Sequence, residues 1–123
     1  MAGPGLKLLP PETFDGDSDF ERFTKLLSAY LGSQDNDYVH MMTTATQANG
    51  QIGPTAMEAL DAAFQQRGRE AGELTVMKTR LYYVLISLTD KAAFTIVDNV
   101  QESNGMEAWR RLRERYSLSL IHI

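Results

Sequence analysis

The side chains in this 123-residue chain that could do chemistry are two histidines, sixteen carboxylates and twelve basic groups. His40 lies in a polar stretch and His122 in an apolar tail, and neither has a serine and a carboxylate placed to complete a nucleophilic trio. HExxH, P-loop and GxGxxG patterns do not occur. His40 therefore reads as a surface or half-buried helix residue rather than a base. Asp15, Asp17 and Asp19 alternate as in a calcium loop, but such a loop needs Gly at its sixth position and Glu at its twelfth. Here those positions are Phe20 and Leu26, so calcium is rejected. Cysteine is absent, which removes disulfides, thiolate catalysis and zinc fingers or knuckles together. We expect no enzyme, no cofactor, no metal and no small-molecule substrate.

One charged cluster remains: Arg110, Arg111, Arg113 and Arg115. It admits two readings. Arg110, Arg111 and Arg113 could contact RNA phosphates. Alternatively the four are a solvated helix face, with cations near a helix C-terminus where the dipole favours them. Glu107 and Glu114 dilute the patch and no aromatics interleave there for base stacking, which favours the solvated face.

The element that carries this cluster is the clearest in the chain. Met106, Trp109, Leu112 and Tyr116 form one stripe of a helix over 104–116, with arginines and Glu114 opposite. Asn104 can cap it, and Glu107 can reach back as the partner of a capping-box-like pair. Trp109, the sole tryptophan, is expected in the core, holding the helix to the rest.

Earlier in the chain, Phe14-Asp15-Gly16 makes a turn and Asp17 or Ser18 offers a cap. Phe20, Phe23, Leu27 and Tyr30 then predict a helix over about 18–31, closed by Gly32, with Phe14 packing back onto its first turn. Tyr38 to about Gln47 predicts a short helix, Asn49-Gly50 a turn, and Pro54 opens a helix reaching Gln66. The RGREAG stretch at 67–72 is a charged break. Leu74, Met77, Leu81, Val84, Leu85 and Leu88 predict a helix over 73–88, and Thr89-Asp90 can cap a successor containing Ala93, Ile96, Val97 and Val100. The β-branched run 95–97 also admits a strand, which would lack a partner. The fold class is all-α: a bundle of five or six short helices.

Composition agrees with one ordinary folded domain, at 43% hydrophobic and 23% charged residues. A net charge of −4 gives no global attraction to nucleic acid or anionic membranes. No apolar run is long enough to span a bilayer, the N-terminus lacks the apolar core of a signal peptide, and Ala2 stands where myristoylation needs Gly. A soluble, cytoplasmic protein is expected.

The two ends differ from the middle. Residues 1–13 carry three of the four prolines and read as an extended arm, whose Leu6, Leu8 and Leu9 could lie in a groove. Residues 118–123 (LSLIHI) follow a charged helix with no stop signal and look like the translation of a transposase end sequence used in preparing sequencing libraries. The tail is thus expected to be non-native, and the 14–117 domain truncated.

Three stretches, in this order, resemble the N-terminal part of a Gag polyprotein from a copia-type long-terminal-repeat retrotransposon. The first is Phe14-Asp15-Gly16 followed by Phe20, Phe23, Leu27 and Tyr30. The second is the apolar helix Leu81 to Leu88, with Leu81, Leu85 and Leu88 on its stripe, and the 92–100 helix after it. The third is Glu107-Ala108-Trp109-Arg110-Arg111-Leu112 with Tyr116, similar to the family's A-W-x-x-L-x-x-x-Y. The resemblance implies a helical capsid-like domain that self-associates into particles around element RNA, without catalysis. The family's usual nucleic-acid handle is a downstream Cys/His knuckle, and the missing cysteines fit a chain that stops before it. A cellular α-helical adaptor, holding a peptide or partner helix in an apolar groove, is the other expectation.

Overall fold

The helical spacing is realised as six α-helices in a computed structural model that describes residues 8–48 and 50–117. They are α1 (Phe20–Gln34), α2 (Asp37–Gln47), α3 (Pro54–Gln66), α4 (Glu73–Leu88), α5 (Lys91–Asp98) and α6 (Gly105–Tyr116). Leu6, Asn49, His122 and the LSLIHI stretch lie outside the described residues. A 3₁₀ turn at Gln101–Ser103 joins α5 to α6. The run 95–97 is helical, within α5, so the strand alternative fails: Val97 is fully buried by this packing, as Ala93 is one turn earlier.

Two boundaries differ from the spacing-based expectation. The cap of α1 is Asp19, whose side chain accepts the Arg22 N–H at 3.1 Å. Asp17 and Ser18 lie in the preceding turn, where their N–H groups donate to Asp15 Oδ1 at 2.8 and 3.2 Å, and the helix starts only at Phe20. At the other end Gly32 does not stop the helix, which runs on to Gln34. A Cβ at position 32 would lie 3.0 Å from Val39 Cγ2, so this glycine serves the close approach of α2 rather than a turn.

Chain pairing of the β type occurs where no periodicity suggests it. Phe14 bridges Thr89 in parallel: its N–H donates to the Leu88 carbonyl at 2.8 Å, and its carbonyl accepts the Asp90 N–H at 2.9 Å. The bridge ties the segment before α1 to the junction between α4 and α5.

Helix α6 is the centre. It packs against α4, α2 and α5, and Met106, Ala108 and Leu112 have no exposed surface. Leu27, Met41, Leu81 and Leu85 of the other helices belong to the same core and are equally buried. Each such side chain stabilises the fold by about 1.5–3 kcal/mol through removal from water. Helix α3 is peripheral; only Phe64 of its residues is buried.

The crossing of α6 over α4 depends on Gly105. A Cβ there would stand 2.5 Å from the Tyr82 nitrogen and 2.6 Å from the Lys78 oxygen, both backbone atoms of a rigid helix. Gly105→Ala is expected to destabilise the protein by about 3 kcal/mol or more, because two helix axes must separate. Chemical denaturation checks this; a loss under about 1 kcal/mol would mean that the crossing is looser than described.

Candidate interaction surface

The first and third family-like stretches meet in an aromatic junction. Phe14 packs edge-on to Phe20 (centroids 5.2 Å apart) and to Tyr116 (5.0 Å), and stacks on Phe23 at 5.3 Å. Phe20 stacks on Trp109 at 5.6 Å. Gly16, at φ 101°, lies under the Tyr116 ring, where a Cβ would come within 2.9 Å of the hydroxyl oxygen. The second stretch closes the junction through the bridge from Phe14 to the end of α4. Leu81 and Leu85 are wholly buried, while Leu88, Tyr30 and Tyr116 pack on the core half-exposed. Trp109 is core as expected, its Nε1–H donating to Thr46 Oγ1 at 3.3 Å.

Part of the arginine cluster is ion-paired within its own helix, while Arg115 and Glu114 stay exposed. Glu107, buried beneath it, accepts from Arg110 Nε and Nη2 at 2.8 Å each and from Arg111 Nε at 2.7 Å. Arg110 also reaches Glu114 at 3.2 Å, and Arg113 lies 3.5 Å from Glu21. Arg115 lies over the Tyr116 ring. Two of the three residues singled out for RNA contact, Arg110 and Arg111, are thus paired with Glu107.

Glu107 also corrects the capping-box expectation. Asn104 caps as predicted, its Oδ1 accepting the Glu107 N–H at 3.1 Å. Glu107 does not reach back to the Asn104 N–H, which donates to the Gln101 carbonyl instead. It accepts the Ile52 N–H at 2.9 Å, while Asn104 Nδ2 donates to the Ile52 carbonyl at 3.0 Å. Asn104 and Glu107 therefore clasp both sides of one residue of the 50–53 loop and seat Ile52 in the core. Burial works to raise the Glu107 pKa. Hydrogen bonds from Arg110, the Ile52 N–H and Arg111 outweigh it and hold the carboxyl down to about 2.

A second network was hidden in the charged break. Arg69 Nε pairs with Asp37 at 2.7 Å, Nη1 with Glu73 at 2.6 Å and Nη2 with Asp35, and Arg67 joins Asp37 at 2.9 Å. It fastens the α1–α2 corner to the α3–α4 corner. The only sequence signal was an acidic corner at Asp35 and Asp37 and a basic one at Arg67 and Arg69, which does not by itself pair them.

Beside this network runs an open groove between the end of α1 and α4, lined by Leu31, Tyr38, Val76, Arg80, Tyr83 and Val84. Val76 is 51% and Tyr83 60% exposed along it. Another groove lies along α1, where Leu8, Leu9 and the two prolines of the arm face Phe23, Leu26 and Ala29. Among the described residues no group of three metal-binding side chains converges, and no helix is long and apolar enough to cross a membrane. No family model, curated protein or solved structure matches the chain.

The clasp has a pH signature. Because the Glu107 pKa is depressed in the fold, its contribution is complete above the unfolded value near 4.5 and is lost as pH falls toward 2. Between pH 6 and pH 3 the native chain should lose about 2 kcal/mol more stability than Glu107→Gln, which cannot titrate. Urea titrations of both proteins at the two pH values check it; equal losses would place Glu107 outside the pH response.

Proposed function

We propose that the chain is a Gag-like helical assembly domain of a copia-type retrotransposon, self-associating in the cytoplasm into capsid-like particles around element RNA. The observation that carries this reading is the convergence of the three family-like stretches. Separate in sequence, they supply Phe14, Gly16 and Phe20, the end of the Leu81–Leu88 helix, and Trp109 with Tyr116 to a single junction.

The surface is compatible with assembly. Val76, Tyr83, Leu26 and Phe94 remain exposed on three different helices, so more than one face offers apolar area to a neighbouring copy. Arg110 and Arg111 are already paired with Glu107, so RNA contact in this reading does not rest on them. The reading includes no catalytic step.

The groove with Val76 and Tyr83 favours a second reading, the adaptor that holds a partner helix or peptide. Light scattering after size-exclusion chromatography, from dilute to near-millimolar protein, separates the two. It is run on the full chain and on a chain ending at Ser117, so that the apolar 118–123 stretch is not the cause of association. The assembly domain predicts mass growing to dimers and larger species in both. A folded monomer at every concentration in both would reject self-association by this domain and leave the adaptor.

A further inference from the structure

Asparagine followed by glycine is the pairing at which a polypeptide most readily reacts with itself, because glycine has no side chain to shield the next backbone nitrogen. The chain holds Asn-Gly at 49–50 and at 104–105, and the second pair lies wholly within the described residues. It stands at the entry to α6, where three demands of the fold meet: the cap of that helix, the hold on the 50–53 loop, and the crossing over α4.

The backbone leading into the pair is strained. Glu102 and Ser103 hold φ 61° and 48°, two successive left-handed residues, neither of them glycine. Asn104 itself is kept from reacting by its setting. At ψ 92° the Gly105 nitrogen stands on the far side of the Cα–C bond from the Asn104 side chain. The amide is held at both ends: Oδ1 accepts the Glu107 N–H at 3.1 Å, and Nδ2 donates to the Ile52 carbonyl at 3.0 Å. The residue is 8% exposed. Turning the amide onto Gly105 breaks both hydrogen bonds, so the reactive geometry exists only while the clasp is open.

We infer that Asn104 is a modification site gated by the Ile52 clasp, where deamidation makes a reversible opening permanent. In the opened chain the Gly105 nitrogen gives its proton to solvent and attacks Asn104 Cγ. The N–Cγ bond forms, the Cγ–Nδ2 bond breaks, and ammonia leaves. Water then opens the cyclic imide, giving aspartate by addition at the side-chain carbonyl and isoaspartate by addition at the main-chain carbonyl. Water is the only co-reactant. Neither product restores the clasp. Aspartate has no N–H for the Ile52 carbonyl and adds a second carboxylate to a clasp that already contains buried Glu107. Isoaspartate lengthens the main chain by one methylene beside Gly105, where a Cβ would already come within 2.5 Å of α4. The strained pair favours the opening, since release returns Glu102 and Ser103 to ordinary backbone angles.

The test follows conversion at Asn104 in the full chain by peptide-resolved mass spectrometry, with the aspartate and isoaspartate peptides separated by chromatography. Conversion in urea is expected to exceed that of the native chain by about a hundredfold or more, a ratio set by how seldom the clasp opens. Ile52→Ala removes the side chain that the clasp seats and should speed native conversion by about tenfold or more. Leu31→Ala, a comparable core loss in α1, should speed it much less. Asn104→Asp supplies one product directly and should open the Ile52 amide to hydrogen exchange. Conversion as fast in the native chain as in urea, or none in either, would overturn the site. So would equal acceleration by the two alanine variants, which makes global unfolding the gate, or an Ile52 amide as protected in Asn104→Asp as in the native chain. If Ile52→Ala does not fold, Ile52→Val takes its place; if Asn104→Asp does not fold, the conversion rates decide.

Discussion

Phe14 belongs to no helix, yet it is 1% exposed, and burying it demands that three distant parts of the chain come together. Its backbone must be satisfied once it leaves water, and the parallel bridge to Leu88 and Asp90 does that. Its ring must be surrounded, and Phe20, Phe23 and Tyr116 do that from α1 and α6. Once Phe14 is seated, the start of α1, the end of α4 and the last turn of α6 have fixed relative positions. Gly16 follows from the same constraint: the chain has to turn at φ 101° directly beneath the Tyr116 ring, where a side chain has neither the backbone freedom nor the room.

The apolar packing sets which helices meet, and the buried polar groups set where the loops go. Stripes of Leu and Met would tolerate small slides of one helix along another. The Ile52 clasp does not, because Glu107 and Asn104 accept and donate to the two ends of one particular residue. The Arg69 network holds the two helix corners in the same specific way. Both networks are well satisfied, which is the condition under which buried charge is tolerated and breaking one partner is damaging.

Helix number, type and most boundaries were legible in the sequence, because every helix but α3 carries a stripe that the core really uses. Glu73–Leu88 lies where Leu74 to Leu88 placed it. Local chemistry was legible as well: Asn104 caps α6, Pro54 opens α3, and Phe14 lies on the first turn of α1. Contacts between segments far apart were not. The Glu107–Ile52 and Asp37–Arg69 pairs are separated by 55 and 32 residues, and neither partner has a local pattern that names the other. Glu107 looked like the second half of a capping box because that is its nearest local use; the stronger demand of the Ile52 N–H prevailed. The arginines looked exposed because charge on the far side of an amphipathic stripe usually is. A buried carboxylate on the same helix drew two of them in.

The proposed assembly domain requires the three stretches to be one structural unit and not three coincidental apolar patterns. A double-mutant cycle between Phe14→Leu and Tyr116→Leu, read by urea denaturation, addresses that claim most directly. Rings in edge contact at 5.0 Å should couple by about 0.5–1.5 kcal/mol beyond their separate burial. If the two losses instead add to within about 0.3 kcal/mol, the first and third stretches do not act together and the junction is not what unites them.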